Sequence, residues 1–168
     1  MSLSGRRRVR RRCDAVLRQL SLPEPFDVRA LCEGLAAQRG RPIRLLPLPG
    51  LTDVCGLWIA TDTTDFIAYE QHTTPPHQDH IVLHEIGHML CEHYPATVTP
   101  AEQARLLLPS LDPAVVRRVL GRTGYTSVEE REAEIFASLV GQRTGFARTS
   151  DPVTDRLRSA LDDGGAHG

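Results

Sequence analysis

Apolar residues recur at helical spacing over residues 6–20, where Val9, Cys13, Val16, Leu17 and Leu20 fall on one stripe and the arginines largely on the other face. The pattern predicts an amphipathic helix, broken by the segment SLPEPF. Asp27 is placed to cap a second helix over residues 28–38, and Gly40 to stop it. Residues 42–48 (PIRLLPL) then read as a short strand that its prolines confine to a sheet edge. Residues 55–60 (CGLWIA) and 66–69 (FIAY), separated by the turn-rich TDTTD, predict an antiparallel hairpin. Thr74 followed by Pro75 offers an N-cap and first turn for a helix carrying HQDHIVLHEIGHMLCEH. Further on, a capping pattern at residues 99–102 opens a helix to about Leu108, and Asp112-Pro113 opens one that ends at Gly121. Ser127-Val128-Glu129-Glu130 reads as a capping box for a helix to about Val140, and Asp151-Pro152 starts a last short one. Together these elements predict an α+β fold, mainly helical, with a small sheet or hairpin beside the HEIGH helix. They form one domain over residues 1–161, and DDGGAHG at 162–168 reads as a disordered tail.

At 168 residues roughly two-thirds of the unfolded chain's surface can be buried, so the core needs neither disulfides nor a structural metal. Any metal site is therefore free to be functional. No apolar run approaches the roughly 18 residues of a membrane span. The arginine-rich start is followed by Asp14, Arg18 and Gln19 instead of an apolar stretch, which predicts a cytoplasmic protein with no membrane partner. Cys13, Cys32, Cys55 and Cys91 lie far apart with no CxxC pair and read as buried thiols. The 20 basic residues, all arginine, against 21 acidic ones leave a net charge of -1, so no direct nucleic-acid binding is expected. The N-terminal arginines read as a solvated helix face.

The segment that carries chemistry is HEIGH, residues 84–88. On a helix its histidines lie one above the other and can share one metal ion, for which zinc is suited. With 7 His in 168 residues, chance would supply only about 0.02 such matches. Val82, Leu83, Ile86, Met89 and Leu90 form an apolar stripe, and His80, His84, Gly87, His88 and Cys91 lie opposite, so the histidines point away from it. Gly87, between the two ligands, lets another element approach closely. Glu85 sits beside the metal position, where it can take a proton from a water that zinc has acidified. The bland alternative is a surface helix with incidental histidines.

A third protein ligand is expected from a later helix, with Glu129, Glu130, Glu132 and Glu134 as candidates. Here HEIGH and the later EAEIFA (residues 132–137) resemble the ImmA/IrrE family of zinc metallopeptidases, in which a hairpin precedes an HExxH helix and a later helix carries a Glu-Ala...Phe-Ala motif. The resemblance implies a zincin-like fold, Zn2+ as the metal, and a regulatory protein, often a helix-turn-helix repressor, as substrate. With it goes the expectation that the strand at 66–69 lies at the sheet edge beside the site, open to an extended substrate. On the wheel of its own helix Glu132 sits centrally among Val128, Ile135, Phe136 and Leu139, so its carboxylate faces the interior and must be neutralised there. That selects Glu132 as the third ligand with His84 and His88, and Glu129 as runner-up. Glu130 is accounted for as the N3 member of the Ser127 box, and Glu134 points to solvent. A buried ion pair with an arginine would also neutralise Glu132.

His80 reads as supporting the ligands or facing solvent, and Cys91 as too far along its helix to join them. Among His72, His77, His93, Tyr69 and Tyr125, any one could donate to a developing oxyanion. Two functions follow: a zinc-dependent endopeptidase that cleaves an intracellular regulator, with Glu85 catalytic, or a zinc-containing binding module that recognises a repressor or other partner without cutting it.

Overall fold

The computed structural model describes residues 3–51, 56–93, 116–120 and 125–145, the stretch 116–120 by its backbone. The order is α1 (Leu3–Arg18), α2 (Val28–Arg39), β1 (Ile43–Leu48), β2 (Gly56–Thr61), β3 (Asp65–Glu70), α3 (Pro75–Leu90), β4 (Val116–Leu120) and α4 (Ser127–Thr144), an α+β arrangement. The helices expected at 99–108 and after Asp151, the tail at 162–168 and Cys55 lie outside the described residues.

Local signals account for most element ends. Asp27 accepts a hydrogen bond from the Ala30 amide at 2.7 Å, and Gly40 closes α2 in the left-handed region at φ 63°. α1 buries Val9, Cys13 and Leu17 and leaves Arg6, Arg7, Arg8, Arg10 and Arg11 in solvent. The sheet runs β1-β3-β2-β4. β1 pairs parallel with β3, β3 antiparallel with β2, and β2 antiparallel with β4. Pro47 thus lies in an edge strand, as its missing amide requires. Asp65, buried where the hairpin returns, accepts from Trp58 Nε1 at 3.1 Å and from Arg41 Nε at 2.9 Å, which pins the turn.

Two expectations are corrected. The strand at 66–69 is not an edge, because β1 covers one side of β3 and β2 the other. Residues 116–120 belong to a strand, not to a helix running from Asp112 to Gly121. β2 is buried almost throughout, and its backbone groups on the side away from β3 need partners that only another strand supplies.

α3 packs on the sheet through β2 and β3 and on α4 through its other face, while α1 lies against α4. Burial on both sides encloses Ile81, Val82, Leu83, Ile86 and Met89, but also Glu85, Gly87 and His88. Among the described residues no helix is long and apolar enough to cross a membrane.

Candidate functional site

Helical spacing brings His84 and His88 together: their Nε2 atoms are 3.1 Å apart. The carboxylate that joins them is that of Glu130, with Oε2 at 3.4 Å from His84 Nε2 and Oε1 at 3.8 Å from His88 Nε2. All three donor atoms lie within 4.8 Å of one another. Ligand atoms about 2.0–2.1 Å from one tetrahedral ion lie about 3.3–3.4 Å apart, close to the 3.1 and 3.4 Å found at His84 Nε2, so the donor types and their approach suit zinc. Glu130 Oε1 is buried without a hydrogen-bond partner among the described residues, which leaves it a lone pair to give. His84 and Glu130 side chains keep 13% and 26% exposure, so solvent reaches the group from one side.

Glu130 stands here because the capping box begins one residue earlier than the sequence suggests. Thr126 is the N-cap: its hydroxyl accepts from the Glu129 amide, and Glu129 Oε2 accepts from the Thr126 amide at 2.7 Å. Glu129 is thereby committed, and Glu130 is released toward α3. Glu132, expected as the third ligand, is buried as its wheel position requires but is neutralised elsewhere. Its Oε2 lies 2.9 Å from His93 Nε2 and 3.3 Å from Arg12 Nη1, so the ion-pair alternative is the observed one. Glu132, Cys13 and Cys91 form a second group of ligand-type atoms, yet a cation there would enter beside the Arg12 guanidinium, which stands 3.3 Å from the Glu132 carboxylate.

Charge favours a cation between the histidines. Burial acts to lower the His84 pKa, but hydrogen bonds donated by its ring to Glu130 and Glu134, together with the Glu85 and Glu130 charges, outweigh it and lift the pKa to about 9. The cluster thus attracts positive charge strongly enough to hold a proton. Burial, with the neighbouring His84 and His93, pushes the His88 pKa down to about 2 and keeps that ring neutral, the form a metal ligand needs. Behind His84, Glu134 Oε2 stands 3.6 Å from Nδ1 and 3.2 Å from His80 Nε2, contacts that hold the Glu134 carboxyl well below its usual range. His80 thereby reaches His84 through Glu134. Glu134 is more than solvent-facing, because α3 passes close enough for it to reach two histidines.

That close passage depends on Gly87, as its position between the two histidines indicates: a Cβ there would meet Ala133 Cα at 3.0 Å. Gly56, which carries no motif, does the same for Glu85. A Cβ on it would lie 2.9 Å from Glu85 Oε1, so β2 passes directly against this carboxylate. Tyr125 stacks on His88 with ring centres 3.7 Å apart. Burial, with Glu85 and Glu130 nearby, raises its pKa so that the phenol stays protonated. Its hydroxyl is buried with no hydrogen-bond partner among the described residues. Of the other candidate oxyanion donors, Tyr69 faces Arg29, and His72 and His77 border a separate cavity of about 340 Å³. In comparisons with known proteins, no family model matches the chain, and neither does any curated protein or solved structure.

Proposed function

We propose that the protein is a cytoplasmic zinc-dependent endopeptidase of zincin-like fold, with His84, His88 and Glu130 as metal ligands and Glu85 as general base. The observation that supports this reading is the convergence of two imidazole nitrogens and one carboxylate oxygen within 4.8 Å of one another, with a further buried carboxylate, Glu85, adjoining His84 on the same helix. When bound, zinc would supply a Lewis acid that polarises a peptide carbonyl and acidifies a water. Glu85 takes the proton of the attacking water and passes it to the leaving amine. Gly56 keeps β2 against that carboxylate and limits its rotation. The Tyr125 hydroxyl, held protonated and without a hydrogen-bond partner among the described residues, offers a hydrogen bond to the developing oxyanion. The resemblance of HEIGH and EAEIFA to the ImmA/IrrE family supports an intracellular regulatory protein, a helix-turn-helix repressor, as substrate.

The test is metal content against turnover. The purified protein should hold about one zinc per chain, which His84→Ala, His88→Ala and Glu130→Ala should each strip. Glu85→Gln should keep the zinc and lose peptide-bond cleavage, followed on helix-turn-helix repressors offered as substrates. Full zinc in all three ligand variants would remove the metal site. Equal cleavage by Glu85→Gln would remove the mechanism.

A further inference from the structure

Behind His88 lies a chain of buried side chains that zinc ligation alone does not require. His88 Nδ1 meets His93 Nδ1 at 3.0 Å, and His93 Nε2 meets Glu132 Oε2 at 2.9 Å. His88, His93 and Glu132 are 1%, 2% and 3% exposed, so no solvent competes for these bonds. We propose that Glu132 and His93 are positioning residues that fix His88 in the one tautomer able to bind a metal, a role that rests on the zinc reading above.

The proposed bond directions start from the carboxylate end. Glu132 can only accept, so His93 Nε2 carries the hydrogen and donates it. In the proposed arrangement His93 carries one hydrogen, so its Nδ1 accepts and His88 Nδ1 donates across the 3.0 Å contact. A neutral His88 with its hydrogen on Nδ1 has a bare Nε2, and that atom faces His84 and Glu130. Arg12 anchors the far end, with Nη1 at 3.3 Å from Glu132 Oε2 and Nη2 donating to the Cys91 carbonyl at 2.8 Å.

The backbone is bent to make this contact. α3 ends in a turn in which the His93 amide donates to the His88 carbonyl at 3.0 Å and the Glu92 amide to the Met89 carbonyl at 3.4 Å. Glu92 lies in the left-handed region at φ 57°, a conformation that costs a non-glycine residue energy. This reversal returns the His93 ring to the residue five places before it. Stacked Tyr125, inclined by 10°, restricts rotation of the His88 ring.

The deciding measurement is the side-chain nitrogen NMR spectrum of the metal-free protein. The wild type should show His88 with hydrogen on Nδ1. Glu132→Gln presents a donor as well as an acceptor to His93, so a population with hydrogen on His88 Nε2 should appear, and the zinc dissociation constant should rise about 10–100-fold. Glu132→Asp, still acceptor-only, should keep the wild-type tautomer, a split that a merely structural role would not produce. His93→Gln breaks the chain without touching Arg12 and should weaken zinc binding to a similar degree. A His88 hydrogen on Nε2 in the wild type, an unchanged tautomer in Glu132→Gln, or unchanged zinc affinity in His93→Gln would overturn the proposal. Failure of the zinc reading would show separately, as full zinc retention by His84→Ala, while the tautomer of the metal-free protein still reports on the chain.

Discussion

Replacing Gly87 by Ala tests whether the site depends on how closely α3 and α4 approach. The added Cβ would lie 3.0 Å from Ala133 Cα, 3.1 Å from Ala133 O and 3.2 Å from Phe136 Cδ1. Carbon atoms ordinarily meet at about 3.5–4.0 Å, so α4 must withdraw by roughly half an ångström. Two of the three contacts are backbone atoms and cannot rotate aside. Alanine gains about 1 kcal/mol of helix propensity over glycine, whereas overpacking of a tight contact costs about 1–3 kcal/mol. The net loss of stability is then about 0–2 kcal/mol, read as a lower urea midpoint of the metal-free protein. The larger effect should fall on the metal. Glu130 rides on α4 and both histidines on α3, so their 3.4 and 3.8 Å separations widen together. Metal–ligand distances tolerate only about 0.2 Å, and zinc affinity should fall at least about tenfold in chelator competition. A Gly87→Ala protein more stable than the wild type that also binds zinc with wild-type affinity would refute the close-approach argument.

Gly56→Ala would place a Cβ 2.6 Å from Ile81 Cγ2 and 2.9 Å from Glu85 Oε1. It should lower kcat about 100-fold by displacing the base, with zinc content unchanged; wild-type turnover would show that the carboxylate has room to spare. Glu92→Gly should relieve the left-handed residue and raise the unfolding free energy by about 1 kcal/mol in urea titration, and a lower midpoint would contradict the strain. Zinc must displace the proton that His84 holds with a pKa of about 9, whereas His88, at about 2, is already neutral. Apparent zinc affinity should therefore rise about tenfold per unit of pH up to pH 9, with about one proton released per zinc in calorimetry, and a flat profile between about pH 6 and 8 would rule this out.

What the sequence determined by itself are features set by neighbours within about four positions. Asp27 and Gly40 bound α2, the proline-flanked PIRLLPL lies at an edge, TDTTD turns a hairpin, and HEIGH aligns two imidazoles, because caps, turn residues and helical spacing act over that range. Tertiary structure decided which carboxylate meets the two imidazoles. Glu132 is interior, as its wheel position indicates, but whether a buried carboxylate meets a metal or an arginine depends on what α1 and the end of α3 bring to it, and they bring Arg12 and His93. Glu130 was hidden by a one-residue ambiguity between Ser127 and Thr126 as helix cap, which the path of the chain into α4 resolves. The strand at 116–120 and the central place of β3 likewise follow from pairing demands of distant strands, since a buried edge must find hydrogen-bond partners wherever along the chain they occur.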